Sequence, residues 1–260
     1  MNYFHPILEP TGKDLFWNIP ERKSGTAGII GGNSQNFRTS VRVAEFLTKT
    51  YSLERVNLIL PDVLRGKLPP LDNLYFLSST ESGSFKDGEE LKERLNSSDF
   101  SLLIGDFSKN SITSRAVATA CVSSEKPAIL TRDTVDLLTE NQPERALMNK
   151  NLIIFSSGIQ LQKLLRAVYY PKTILLSQSI VQIADTIHKF TISYPISIIT
   201  IHNGQLLIAK GGEVSSIELA KTGFSPLSVW SGELAAKILA LNLYNPNNFI
   251  AATIAASFRD

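Results

Sequence analysis

Short apolar runs closed by glycine, proline or a polar turn alternate along the chain with stretches in which apolar residues recur at helical spacing. Thr26-Ala-Gly-Ile-Ile30 ends on Gly31-Gly32 and passes through the polar turn Asn33-Ser-Gln-Asn36. It then gives way to Val41, Ala44, Phe46, Leu47 and Tyr51. That order predicts strand, glycine-rich turn, helix. Residues 56–60 predict a second strand, stopped by Pro61. Residues 75–77 and 100–104 predict two more, the latter ending at Gly105, and residues 128–130 and 152–155 continue the series. Between them, 89–95, 114–122 and 159–168 read as helices. So does 180–190, with Ile180, Ile183, Ala184 and Ile187 on one face. Residues 196–201 and 206–209 flank Asn203-Gly204, a hairpin turn signal. Two helices close the chain. One begins near Ser231 and runs through Leu234, Ile238 and Leu241; the other, after Pro246, covers 249–258.

Continuous apolar strands alternating with helices imply an α/β protein, a mostly parallel sheet with helices on both faces. Residues 1–24, with Pro6, Pro10 and Pro20, read as an irregular N-terminal arm, and 25–260 as a single domain without repeats or linkers. At 260 residues and 43% hydrophobic content, one large core is available. A net charge of +2 leaves no electrostatic footprint for nucleic acid. The lone Cys121 excludes an internal disulfide framework and any multi-cysteine zinc site. It lies in a small-residue helix and reads as buried and inert. The histidines His5, His188 and His202 are too scattered for a zinc site, so no metal ligands are expected from the protein's own spacing. No secretory leader and no apolar stretch near the ~18 residues of a membrane span is visible. The expectation is a cytoplasmic protein without a membrane partner.

In open α/β sheets, ligands bind outside the carboxyl ends of the strands. Here those ends carry Gly31-Gly32-Asn33-Ser34, Gly105-Asp106-Phe107-Ser108, Thr131-Arg132-Asp133, Ser156-Ser157-Gly158 and His202-Asn203-Gly204. The turn before the penultimate helix is Val229-Trp230-Ser231-Gly232-Glu233. Gly31-Gly32 and Ser231-Gly232 are of the type that presents backbone N–H groups to phosphate, though neither forms a complete nucleotide-binding motif.

Taken in series, these segments resemble the ribokinase-like superfamily, and within it the ADP- or ATP-dependent NAD(P)H-hydrate dehydratases, a carbohydrate kinase-related family. The likeness runs over roughly residues 19–260. Ile19-Pro-Glu-Arg22 through Gly28-Ile-Ile-Gly-Gly32 resembles the family's opening strand, and Leu102-Leu-Ile-Gly105 the strand before its Gly-Pro-Gly turn. Lys126-Pro-Ala-Ile-Leu130 with Asp133 and Leu137-Leu138 resembles its Asp-Ala-Asp segment. Residues 153–155 with Leu164-Leu165 resemble its Thr-Pro-His segment, and 198–209 its Leu-Lys-Gly hairpin. Ser231-Gly-Glu233 with Leu234-Ala-Ala236 resembles its Gly-Thr-Gly-Asp turn and helix.

The resemblance implies a ribokinase-like three-layer sandwich, a homo-oligomer, and a small-molecule nucleotide partner. It implies ADP or ATP with Mg2+ as phosphoryl donor and an NAD(P)H-type substrate, dehydrated by phosphorylation and elimination. By position, Glu233 becomes the base. Ser231, Gly232, Trp230, His202 and Asn203 become nucleotide or phosphate contacts. Gly31, Gly32, Asn33, Gly105, Asp106, Asp133 and Ser157 fall on the substrate side. The chemical positions depart from the pattern: Trp230-Ser231-Gly232-Glu233 replaces Gly-Thr-Gly-Asp, Gly105-Asp106-Phe107 replaces Gly-Pro-Gly, and His202 replaces the lysine. An inactive ribokinase-like binding or structural protein, and a kinase for another small hydroxylated molecule, therefore stand beside the dehydratase reading. So do the bland roles: Glu233 complementing a helix dipole, Asp133 capping, Trp230 plugging the cleft.

Overall fold

A computed structural model describes residues 2–8, 20, 22–68, 72–222, 224 and 230–258. The strands are β1 (Phe4–Ile7), β2 (Thr26–Ile30), β3 (Arg55–Pro61), β4 (Leu74–Leu77), β5 (Phe100–Ile104), β6 (Ala128–Thr131), β7 (Leu152–Ser157), β8 (Ser197–His202), β9 (Gln205–Lys210) and β10 (Glu213–Glu218). The helices are α1 (Arg38–Thr50), α2 (Gly88–Asn96), α3 (Ser111–Ser123), α4 (Asp133–Glu140), α5 (Pro143–Leu147), α6 (Gly158–Ala167), α7 (Ile180–Ser193), α8 (Glu233–Tyr244) and α9 (Phe249–Phe258).

Helix starts follow local chemistry. Asp87 accepts hydrogen bonds from the Glu89 and Glu90 amides at the head of α2, and Asn110 accepts from the Thr113 amide at α3. Ser157 with Gln160, and Ser179 with Gln182, form reciprocal capping boxes at α6 and α7.

One ten-stranded sheet runs in the order β1-β10-β9-β8-β7-β6-β5-β2-β3-β4. From β2 through β8 every pairing is parallel, whereas β9 is antiparallel to both β8 and β10. Strand β2 lies between β3 and β5, so the connections leave it in opposite directions. This is the topological switch point. Successive residues of a strand face opposite layers. Ile29, Leu102 and Ile153 join α1, α8 and α9 in one core, while Ile30, Leu103 and Ile154 join the layer of α2 to α7 in the other. That two-sided burial explains the unbroken apolar strands.

Three features differ from the sequence reading. The arm contains strand β1, which pairs in parallel with β10 at the sheet edge. Tyr3 fixes it by donating from its hydroxyl to Asp185 at 3.1 Å and by stacking on His188 at 3.7 Å. Strand β10, with buried Ser215 and Ser216, and helices α4 and α5 were not anticipated. Cys121 is fully buried, and burial pushes its thiol pKa up to about 12. Among the described residues, no helix is long and apolar enough to cross a membrane.

Candidate functional site

At the switch point the glycine turn after β2 lies against the end of β5. A Cβ on Gly31 would sit 2.2 Å from the Ile104 carbonyl oxygen, so only glycine permits this approach. The Gly32 amide donates to the Gly105 carbonyl at 3.4 Å. Asn33 is fully engaged: its Nδ2 donates to the Asp106 carbonyl at 2.6 Å, and its Oδ1 accepts from the Gln35 and Asn36 amides. Asp106, in the left-handed region at φ 59°, accepts from Arg132 Nη2 at 3.1 Å. Phe107 turns away from the crevice. It is 3% exposed and its ring packs on Phe85 at 5.1 Å.

Arg132 connects β6 to α4 with φ 53°. Its carbonyl accepts from Gln160 Nε2 at 2.7 Å, and the same Nε2 donates to Asp136. Asp133 is the first residue of α4 rather than its cap, and its carboxylate lies 3.4 Å from Lys109 Nζ. Desolvation pulls the Lys109 ammonium down in pKa, but Asp133 and Asp136 outweigh it and the net shift is upward. Ser157 caps α6. His202 is 3% exposed; its Nε2 donates to the Gln178 carbonyl at 2.9 Å, while Nδ1 has no hydrogen-bond partner among the described residues and faces Gly158. Asn203 donates to the Leu176 carbonyl at 3.4 Å. These two side chains thus bind the segment ahead of α7 to the sheet, whereas the resemblance makes them nucleotide contacts.

The N-terminus of α8 completes the crevice. Gly232 (φ 87°) packs on Ile104, and Ser231 Oγ accepts from the Glu233 amide at 3.4 Å. Trp230 and Gly232, with Thr131, Arg132, Phe155, Ser156 and Ile201, line a narrow space of about 10 Å³. Glu233 does not line this space. Its carboxylate lies 3.5 Å from the Nζ of the nearly buried Lys237, on a separate cleft of about 230 Å³ beside Arg42 and Phe46. Lys237 Nζ in turn lies 4.7 Å above the centre of the Phe224 ring.

The structure therefore brings Gly31, Gly32, Asn33, Gly105, Asp106 and Gly232 to one place and turns Glu233 away from the Trp230 cleft. Arg132, Thr131 and Ser156, which line that cleft, were not assigned a role in advance. The available signal was a basic residue following β6 opposite an acidic one following β5. The space under Trp230, about 10 Å³, is at the limit for a single water, whereas the neighbouring cleft lined by Ser231 and Glu233 holds about 230 Å³. Among the described residues, no group of three His, Cys, Asp or Glu side chains could hold a metal ion.

No protein-family model matches the chain, and neither does the sequence of any curated protein. Solved structures do. A ribokinase-like superfamily protein from Enterococcus faecalis V583 matches with a TM-score of 0.65 at 12% identity, over 99% of this chain and 85% of that one. A hydroxyethylthiazole kinase from Pyrococcus horikoshii OT3 matches at 0.57 and 13%, over 94% and 80%. The pyridoxal kinase of Bacillus subtilis, determined as an ADP complex, matches at 0.50 and 11%, over 90% and 88%. The chain has the ribokinase-like fold, and its structural neighbours include kinases.

Proposed function

We propose that this chain is a ribokinase-like protein that does not carry out phosphoryl transfer at its strand-end crevice. The observation that carries this reading is the narrowness of the cleft under Trp230, about 10 Å³ beside the Gly232 turn. Two further features agree with it. Phosphoryl transfer needs a base aimed at the substrate hydroxyl and positive charge near the anion. Glu233 is instead paired with Lys237, and the Arg132 guanidinium is already paired with Asp106. Nucleotide binding, in this reading, requires displacement of Trp230.

A second reading keeps the divergent NAD(P)H-hydrate dehydratase. It is favoured by one feature, a half-exposed carboxylate on the first turn of α8, where the family resemblance places the base. Thermal unfolding with ADP, ATP or NADH, each with and without Mg2+, separates the two. For the native chain we expect no stabilisation by any of them, and no conversion of hydrated NADH. The Trp230→Ala variant gains a nucleotide-dependent rise of a few degrees, the size expected for a ligand at about 100 times its Kd. Conversion of hydrated NADH by the native chain, abolished in Glu233→Gln and kept in Glu233→Asp, overturns the first reading in favour of the second.

A further inference from the structure

A separate space lies at the other end of the sheet. It measures about 510 Å³ and opens where the parallel strands β2, β5, β6, β7 and β8 begin, opposite the switch-point crevice. Its apolar wall is built from Phe100 and Ile153 at the strand starts, with Leu243 at the end of α8 and Phe249 at the start of α9. Gly25, in the left-handed region at φ 78°, lies against Leu243 where a Cβ would be only 2.0 Å from its Cδ2.

Three polar groups converge on this apolar wall. Lys150 and Lys210 stand on the rim and neither has a carboxylate partner among the described residues. Lys210 Nζ lies 5.4 Å from the centre of the Phe249 ring. Asp99, which also lines the cavity, is held by the Thr26 amide at 3.0 Å and by Lys126 at 3.9 Å. The third group is Asn242, 4% exposed on α8. Its Nδ2 donates to the Ile238 carbonyl and to Thr253 Oγ1, which orients the amide and leaves Oδ1, on the cavity side, with no donor among the described residues. A concave apolar wall with a few fixed polar groups is the usual form of a small-molecule site.

We propose that this cavity binds a small aromatic acid carrying a hydrogen-bond donor. The carboxylate lies between Lys150 and Lys210, the ring rests on Phe249 and Ile153, and an amino or hydroxyl group donates to Asn242 Oδ1. The site is independent of the crevice and stands whether or not phosphoryl transfer occurs there.

Isothermal titration of the full chain with 4-aminobenzoate, benzoate and aniline tests each part of the assignment. Aminobenzoate is expected to bind best, benzoate more weakly for lack of the donor, and aniline weakest for lack of the charge. Lys150→Gln and Lys210→Gln, both exposed and therefore tolerable to the fold, each weaken aminobenzoate binding roughly fivefold and reduce its salt dependence. Ser24→Trp, an exposed rim substitution that fills the mouth, abolishes binding without lowering the unfolding temperature. The proposal is overturned if the folded chain binds none of the three probes at millimolar concentration. It is equally overturned if aniline binds as well as aminobenzoate, or if the double lysine variant binds unchanged.

Discussion

Gly232 occupies a position that no other residue fits. Its φ of 87° is left-handed, and a Cβ there would lie 2.0 Å from Ile104 Cδ1. Gly204 has a similar φ of 74° but open space around it. Gly232→Ala is therefore expected to cost about 2–3 kcal/mol, lowering Tm by roughly 5–10 °C, whereas Gly204→Ala carries only the backbone term of about 1 kcal/mol. Equal losses in the two variants, read by thermal unfolding, would refute the steric part of the argument. Glycines of this kind were legible in the sequence because they punctuate strands and helices. The side-chain pairings of the crevice were not. Asp106 and Arg132 are 26 residues apart, and only the parallel pairing of β5 with β6 makes them neighbours. The turning of Glu233 toward Lys237 had a visible cue in their spacing of four along α8, a helical ion-pair spacing. Its consequence, a carboxylate facing away from Trp230, depends on how α8 meets the sheet and has no sequence signature.

Among the elements, β1 is held to the edge by a small electrostatic knot. Asp185 on α7 bonds Lys172 and Lys189 and accepts from Tyr3, and these contacts, that with Lys172 foremost, hold its carboxyl well below the usual carboxylate range. A depressed carboxylate stabilises the fold above its unfolded pKa of about 3.9, and that contribution is lost as pH falls below it. Asp185→Asn should thus lower Tm by a few degrees at pH 7, with a gap that narrows below about pH 4 and closes once the native carboxyl is protonated. A gap that stays constant down to pH 2 would mean that Asp185 acts through shape alone. The strands between β2 and β9 could be read in advance because burial on both faces leaves them continuously apolar. Strand β10 could not, since Glu213-Val-Ser-Ser-Ile-Glu218 places serines among its buried positions. Strand β1 contains Pro6, which reads as a breaker but is tolerated on an edge.

At the scale of the whole molecule, one sheet separates two cores, and its rigidity determines whether they unfold together. Cys121 on α3 belongs to the core of α2 to α7, and Leu239 on α8 to the opposite one. The thiol is fully buried, and burial raises its pKa to about 12, so it reacts only when the structure opens. When reclosing is fast, its labelling rate under native conditions follows the equilibrium population of that open state. Leu239→Ala leaves a cavity in the far core and should cost about 2–4 kcal/mol. If the ten strands couple the two layers into one cooperative unit, this variant accelerates Cys121 labelling by a thiol reagent roughly 30- to 1,000-fold, although α8 and α3 lie on opposite faces of the sheet. Unchanged labelling in a variant with a lowered Tm would instead assign Cys121 exposure to local opening of α3. The cooperative outcome is the one expected here, because each central strand contributes alternate side chains to both cores: Leu102 and Leu103 on β5, Ile153 and Ile154 on β7. Neither layer can then lose its packing without exposing the sheet that supports the other.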